Sequence, residues 1–143
     1  MKRTRGFSLL ELLIVVGIIM IIATIAVPAL IRSRQTANES GAVSNLRMLN
    51  TAEVTYSSDN NGQYGAIPDL VTAGLIDGRF ELPMNGYNFA ANLSTDKLDY
   101  TATAIAKSQN DGRFDYYSKP DYVIRYSADI ARAPIGLTGE PVR

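Results

Sequence analysis

The chain has 143 residues, 14 Lys and Arg against 14 Asp and Glu, and neither cysteine nor histidine. Those absences exclude disulfides, Cys/His zinc sites, thiol nucleophiles and every catalytic triad built on an imidazole base. A formal net charge of zero gives no basic footprint, so nucleic acid is not expected as the primary partner.

Residues 1–6, MKRTRG, are a basic tip that ends in glycine. Residues 7–31 follow as one apolar stretch, interrupted mainly by Glu11, Thr24 and Pro28. Coiled as a helix it is about 37 Å long, enough to cross a hydrocarbon core of about 30 Å, so a transmembrane or membrane-resident helix is the first reading. Between Arg32 and Ser57 there is no proline, and Val43, Leu46, Leu49, Ala52 and Tyr56 recur every three or four residues. That spacing predicts an amphipathic continuation with one core-facing stripe, and Arg47, Asn50 and Glu53 are assigned to the opposite, solvent-facing side. Asp59-Asn60-Asn61-Gly62 supplies turn formers that end it. It lacks the spacing and terminal glutamate of a calcium loop. One helix of about 50 residues is expected, apolar throughout at first and two-faced later.

Residues 60–86 read as a connector holding a short helix over Pro68–Ile76, with proline at its start and Gly78 beyond its end. Four strand-like runs follow, Tyr87–Ala91, Leu98–Lys107, Arg113–Ser118 and Tyr122–Ser127, with turn signals at Asn110-Asp111-Gly112 and Lys119-Pro120-Asp121. In the second run Tyr100, Ala102, Ala104 and Ala106 share one face, and Thr101, Thr103, Ile105 and Lys107 the other. The tail, residues 131–143, is expected to be poorly ordered or to lie along the surface. A head of roughly 85 residues is marginal alone, and packing the amphipathic half of the helix on the sheet supplies the missing buried surface. The expected fold is α+β: a long N-terminal helix packed by its second half on a small antiparallel sheet.

The stretch Arg5-Gly6-Phe7-Ser8-Leu9-Leu10-Glu11-Leu12-Leu13-Ile14 resembles the class III signal of type IV prepilins and pseudopilins, and the whole layout resembles the type IVa pilin fold. The resemblance implies cleavage after Gly6 by a prepilin peptidase and methylation of the new N-terminus at Phe7. It implies that Glu11 of one subunit neutralises the Phe7 ammonium of its neighbour. A carboxylate inside an apolar segment costs about 2.5–3.5 kcal/mol on insertion scales, so it is rarely kept without a role. Pro28 removes a backbone donor and crowds the Thr24 turn, and the family resemblance makes it a kink that loosens in the filament, with Gly17 as the other helix-weakening position. The Thr24 hydroxyl is a candidate for re-satisfying the backbone there. The domain layout that follows is a leader at 1–6, a transmembrane or filament-core half-helix at 7–31, an amphipathic half at 32–58, and a head at 59–143.

The resemblance further implies a structural subunit with no enzymatic activity and no cofactor or metal. Its partners are other copies of itself in a helical homopolymer, the peptidase, assembly machinery in the inner membrane, and lipid before assembly. Loss of Lys2, Arg3 and Arg5 with the leader leaves 11 basic against 14 acidic side chains, a net of −3. Basic residues flank the apolar segment almost equally, so the orientation with head outside rests on the resemblance rather than on charge. Two alternatives stand beside the pilus subunit. A type II secretion pseudopilin or minor pilin has the same architecture, although the chain has no tryptophan and no carboxylate cluster at its end. A secreted soluble binding protein needs cleavage near Thr24-Ile25-Ala26 or Val27-Pro28-Ala29, and Glu11 within so long an apolar run opposes that.

Overall fold

The computed structural model describes residues 7–127 and 139–142. Helix α1 (Leu9–Asp59) is continuous over 51 residues with Pro28 inside it. By its internal contacts the chain divides into residues 1–33 and 34–143, and α1 contributes to both units.

In the first unit every described residue from Phe7 to Leu30 is exposed. The apolar surface of this half-helix is thus left for another medium or another molecule to cover, and its length and composition suffice to cross a membrane. The Thr24 hydroxyl does not serve the turn that Pro28 disrupts. It donates to the Met20 carbonyl at 2.8 Å, one turn back, because a threonine Oγ1 reaches the i−4 carbonyl of its own helix more readily than its own carbonyl.

In the second unit α1 buries Gln35, Glu39, Ala42, Val43, Leu46, Leu49, Asn50, Ala52 and Glu53. The stripe Val43, Leu46, Leu49 and Ala52 lies where the periodicity placed it, and Tyr56 is half-buried. Asn50 and Glu53 do not face solvent. Position 50 is one turn from Leu46 and position 53 one turn from Leu49, so helical geometry puts both on the core stripe whatever their polarity. Of their side-chain polar atoms, all but Glu53 Oε1 find a hydrogen-bond partner inside. Asn50 donates to Ser118 Oγ at 2.8 Å and accepts from the Tyr100 hydroxyl at 3.0 Å. Glu53 Oε2 accepts from the Gly65 N–H at 3.1 Å.

The helix ends as its turn formers predict, with Asn61 and Gly62 at φ of 55° and 81° and the Gly62 N–H returning to the Ser57 carbonyl at 2.8 Å. Helix α2 (Ile67–Thr72) is shorter than expected. Gly74, at φ of 71°, terminates it, and Gly78 instead opens a 3-10 turn (Gly78–Glu81) capped by the Asp77 carboxylate. The sheet runs β1 (Tyr87–Leu93), β2 (Tyr100–Ala106), β3 (Tyr116–Ser118), β4 (Arg125–Tyr126) and β5 (Glu140–Pro141), in that spatial order and antiparallel throughout. Tyr100, Ala102 and Ala104 are buried as one face, and with Leu46, Leu49, Leu70 and Tyr87 they belong to one core. Strands β3 and β4 are shorter than their apolar runs. Part of the tail is more ordered than its composition suggests, because Glu140–Pro141 adds the fifth strand and the Val142 N–H bonds the Ile124 carbonyl at 2.8 Å. Residues 131–138 and 143 of that tail lie outside the described residues.

A polar clasp ties the start of this helical segment to the loop between β2 and β3. Gln35 donates to the Gln109 carbonyl at 2.6 Å and Asn38 to the Asp111 carbonyl at 2.8 Å. Buried Glu39 takes both the backbone and the guanidinium of Arg113, at 2.7 to 3.0 Å. Residues 34–58 are therefore as much part of the head as the sheet is. A truncated chain beginning at Arg32 should be soluble and unfold cooperatively in a thermal melt. One beginning at Ser57 lacks the stripe and the clasp and should bind a hydrophobic dye without a cooperative transition. Equal melting temperatures for the two would refute this packing.

Candidate assembly site

The sequence singles out Gly6, Phe7, Glu11, Gly17 and Pro28. Gly6 lies outside the described residues. Phe7 is 78% exposed and directly precedes the helix start. Ser8 is the N-cap of α1: its Oγ accepts from the Leu10 N–H at 3.3 Å, while the Glu11 Oε2 reaches back to the Ser8 N–H at 2.9 Å. This is the reciprocal arrangement of a capping box, with the serine reaching the N2 rather than the N3 amide, and its signature Ser8-x-x-Glu11 stands in the sequence. Weighing Glu11 only as a charge in an apolar segment hides that second role.

The cap changes how Glu11 is understood. A carboxylate in the first turn satisfies an orphan N–H and favours the positive end of the helix dipole, which offsets part of its desolvation cost. Only one oxygen is used. Among the described residues Oε1 has no hydrogen-bond partner, so the carboxylate is held in place and still able to accept a cation from outside the chain. At Gly17 nothing beyond its chain neighbours and the surrounding helix backbone lies within 4 Å of the place a β-carbon would occupy, so its small size answers no packing contact among the described residues. In an apolar helix such a gap allows another helix to approach closely. Pro28 lies eleven residues further along the same exposed surface, within an uninterrupted helix. The structure thus brings together Ser8 and Glu11 at the helix start, and keeps Gly17 and Pro28 apart from them.

In the head, Gln35, Asn38, Glu39 and Asn50 are engaged in tying the helix to the sheet and its loops. Among the described residues no three carboxylates gather around a single point as a metal site requires.

The family described as "Prokaryotic N-terminal methylation motif" matches residues 1–27. The type IV major pilin protein PilA of Myxococcus xanthus is 44% identical over 59 residues, covering 41% of this chain and 27% of that protein. The type II secretion system core protein G of Pectobacterium carotovorum is 39% identical over 59 residues, covering 41% of this chain and 38% of its own length. The competence protein ComGC of Bacillus subtilis is 31% identical over 72 residues, half of this chain and 74% of that protein. The matched stretch thus spans well under half the length of the first two. No solved structure matches the chain. The motif at residues 1–27, the long exposed apolar helix and the five-stranded antiparallel head agree with one another, and the chain belongs to the type IV pilin superfamily.

Proposed function

We propose that this chain is a structural subunit of a type IV pilus, cut after Gly6, methylated at Phe7 and polymerised through residues 7–31. The observation that carries the reading is the half-helix whose apolar residues from Phe7 to Leu30 are all exposed, with a fixed but half-satisfied carboxylate one turn from its start. Before assembly, lipid covers that surface. After assembly, the same surface of neighbouring copies covers it, and the Phe7 ammonium of one copy meets Glu11 Oε1 of the next. Subunits joined head to tail in this way do not close, so they extend as a helical filament. The 1–6 leader, the 7–31 core segment, and the 32–58 helix with the 59–143 sheet as outer shell are the working parts. Prepilin peptidase and an inner-membrane assembly machine are the partners this life cycle requires, and no step of it calls for catalysis by the chain itself.

The pseudopilin reading shares every one of these features, and the similarity to secretion core protein G supports it. Imaging sheared surface material from cells with and without the chain separates the two, since a pilus subunit leaves long external filaments and a pseudopilin does not. Processing is tested by intact mass of the membrane form, which should show loss of Met1–Gly6 and one added methyl group on Phe7. A mature chain beginning at Val27 or Leu30 would sink the proposal.

A further inference from the structure

We propose that the outer edge of β1 is a self-complementary docking strand, which pairs antiparallel with the same edge of a second copy of this chain about a two-fold centred on Ala91. Strand β1 lies at the margin of the sheet and pairs only with β2, in unbroken register from Tyr87 opposite Ala106 to Leu93 opposite Tyr100. The Lys107 N–H bonds the Gly86 carbonyl at 2.9 Å, which sets the phase of the ladder. Asn88, Ala90 and Asn92 then bond to β2, while Phe89, Ala91 and Leu93 direct their N–H and C=O groups outward.

Both ends of this outward row are closed. Tyr87 and Met84 exchange two backbone bonds of 2.9 Å across the Asn85-Gly86 turn. Beyond Leu93 the chain folds into the Ser94–Asp99 turn, where the Ser94 N–H bonds the Asp99 carbonyl at 2.9 Å. Between them the outward backbone groups of Phe89, Ala91 and Leu93 have no hydrogen-bond partner among the described residues. Natural edge strands are protected by charges, prolines, bulges or a covering helix or loop, and here the 3-10 turn stands beside one end of the row, with the Phe80 ring 5.7 Å from that of Phe89. Residues 87–93, YNFAANL, contain no charge and no proline, and the register shows no bulge.

The open window is symmetric in its chemistry, which is what selects a second copy as occupant. A two-fold at Ala91 sets Ala91 against Ala91, and Phe89 against Leu93 of the second copy in both directions. Each of the three pairs exchanges two N–H···O bonds, about six in all. The half-buried Phe89 and Leu93 side chains then cover one another. No like charges meet along the strand, although the chain without its leader carries a net of −3. A strict two-fold contains no rise, so it is not among the screw operations of a single filament. The pairing therefore joins heads of two filaments side by side, or two unassembled copies, and it stands independently of the polymerisation proposed above.

The chain has no cysteine, so Ala91→Cys introduces a unique thiol. In an antiparallel hydrogen-bonded pair the two Cα atoms lie about 5.5 Å apart, within disulfide range. Oxidising the full-length variant in mild detergent should give a covalent dimer, at least about tenfold more than Asn88→Cys, whose thiols lie about 20 Å out of register. The same band should appear in sheared filaments where these form. As a measurement free of substitutions, amide exchange at Phe89, Ala91 and Leu93 of the unaltered chain should slow with rising protein concentration while that of Tyr87 does not. Dimer yields no higher at position 91 than at 88, with both thiols open to a soluble maleimide, or exchange at the three amides that ignores concentration, overturns the proposal.

Discussion

Replacing Glu11 with valine should abolish surface filaments while leaving membrane insertion intact or improved. The substitution removes a group that costs about 2.5–3.5 kcal/mol in an apolar segment, so the membrane form loses little. In the proposed filament, the Phe7 ammonium of each neighbour would then enter the fibre core without its counter-ion. Removing one partner of a buried pair costs about 3–5 kcal/mol, and the loss recurs at every subunit added. The capping box adds a second role that must be separated from the first. Glu11→Val also deprives the Ser8 N–H of its acceptor, a loss of about 0.5–2 kcal/mol at the helix start. Glu11→Gln keeps that acceptor but not the charge, and Ser8→Ala keeps the charge but removes the hydroxyl cap. If pairing dominates, the glutamine variant should yield clearly fewer filaments than the unaltered chain but more than the valine variant, and Ser8→Ala should be close to normal. Asp59→Asn, at the exposed end of α1, is the neutral control. The readout is sheared filament against subunit retained in membranes. Normal filament yield from stably inserted, cleaved Glu11→Val would show that the carboxylate is only a helix cap.

The second large effect concerns Glu53 and appears as pH dependence of head stability. Glu53 is fully buried, with Oε2 on the Gly65 N–H and Oε1 without a partner. Burial pushes its carboxyl from 4.5 up to about 7, with the nearby Asp69 charge adding to the rise and the Gly65 bond opposing it. The folded state therefore holds a proton that the unfolded chain has released. Such a group contributes stability that is fully present below about pH 4.5 and is lost as pH climbs through about 7. The shift corresponds to something on the order of 3 kcal/mol between the two limits. The chain has no histidine to titrate in the same window. Thermal unfolding of a chain beginning at Arg32 should show a melting temperature that falls by several degrees from pH 5 to pH 8. Glu53→Gln keeps an acceptor for the Gly65 N–H and cannot ionise, so its melting temperature should stay flat over that range and exceed the unaltered chain's at pH 8. A parent chain more stable at pH 8 than at pH 5 would mean that Glu53 is charged and paired in the folded state. Either way, this residue is unsuitable as a silent control for Glu11, a use its polar character alone invites.

The sequence by itself determined the elements whose signals are local. The apolar run of residues 7–31 set the exposed half-helix, because 25 residues without a charge pair can satisfy their backbone only as a helix. The Gly6-Phe7 and Glu11 pattern set the family, and the alternation from Tyr100 to Ala106 set the central strand and its buried face, since a period of two leaves no choice of side. The Ser8–Glu11 cap is equally local, though the folded helix start is what draws notice to it. Tertiary structure decided what depends on partners distant in sequence. Asn50 and Glu53 look like solvent residues until Ser118, Tyr100 and Gly65 are brought to them by the packing of the sheet. The clasp of Gln35, Asn38 and Glu39 on a loop more than seventy residues away has no local signature at all. The fifth strand exists because β4 has an edge for Glu140–Pro141 to join, and two residues rich in neither β-branching nor alternation cannot announce that alone. Burying a polar side chain is tolerated only where its partner arrives with the fold, and that is why the polar half of this core stayed out of reach of the sequence.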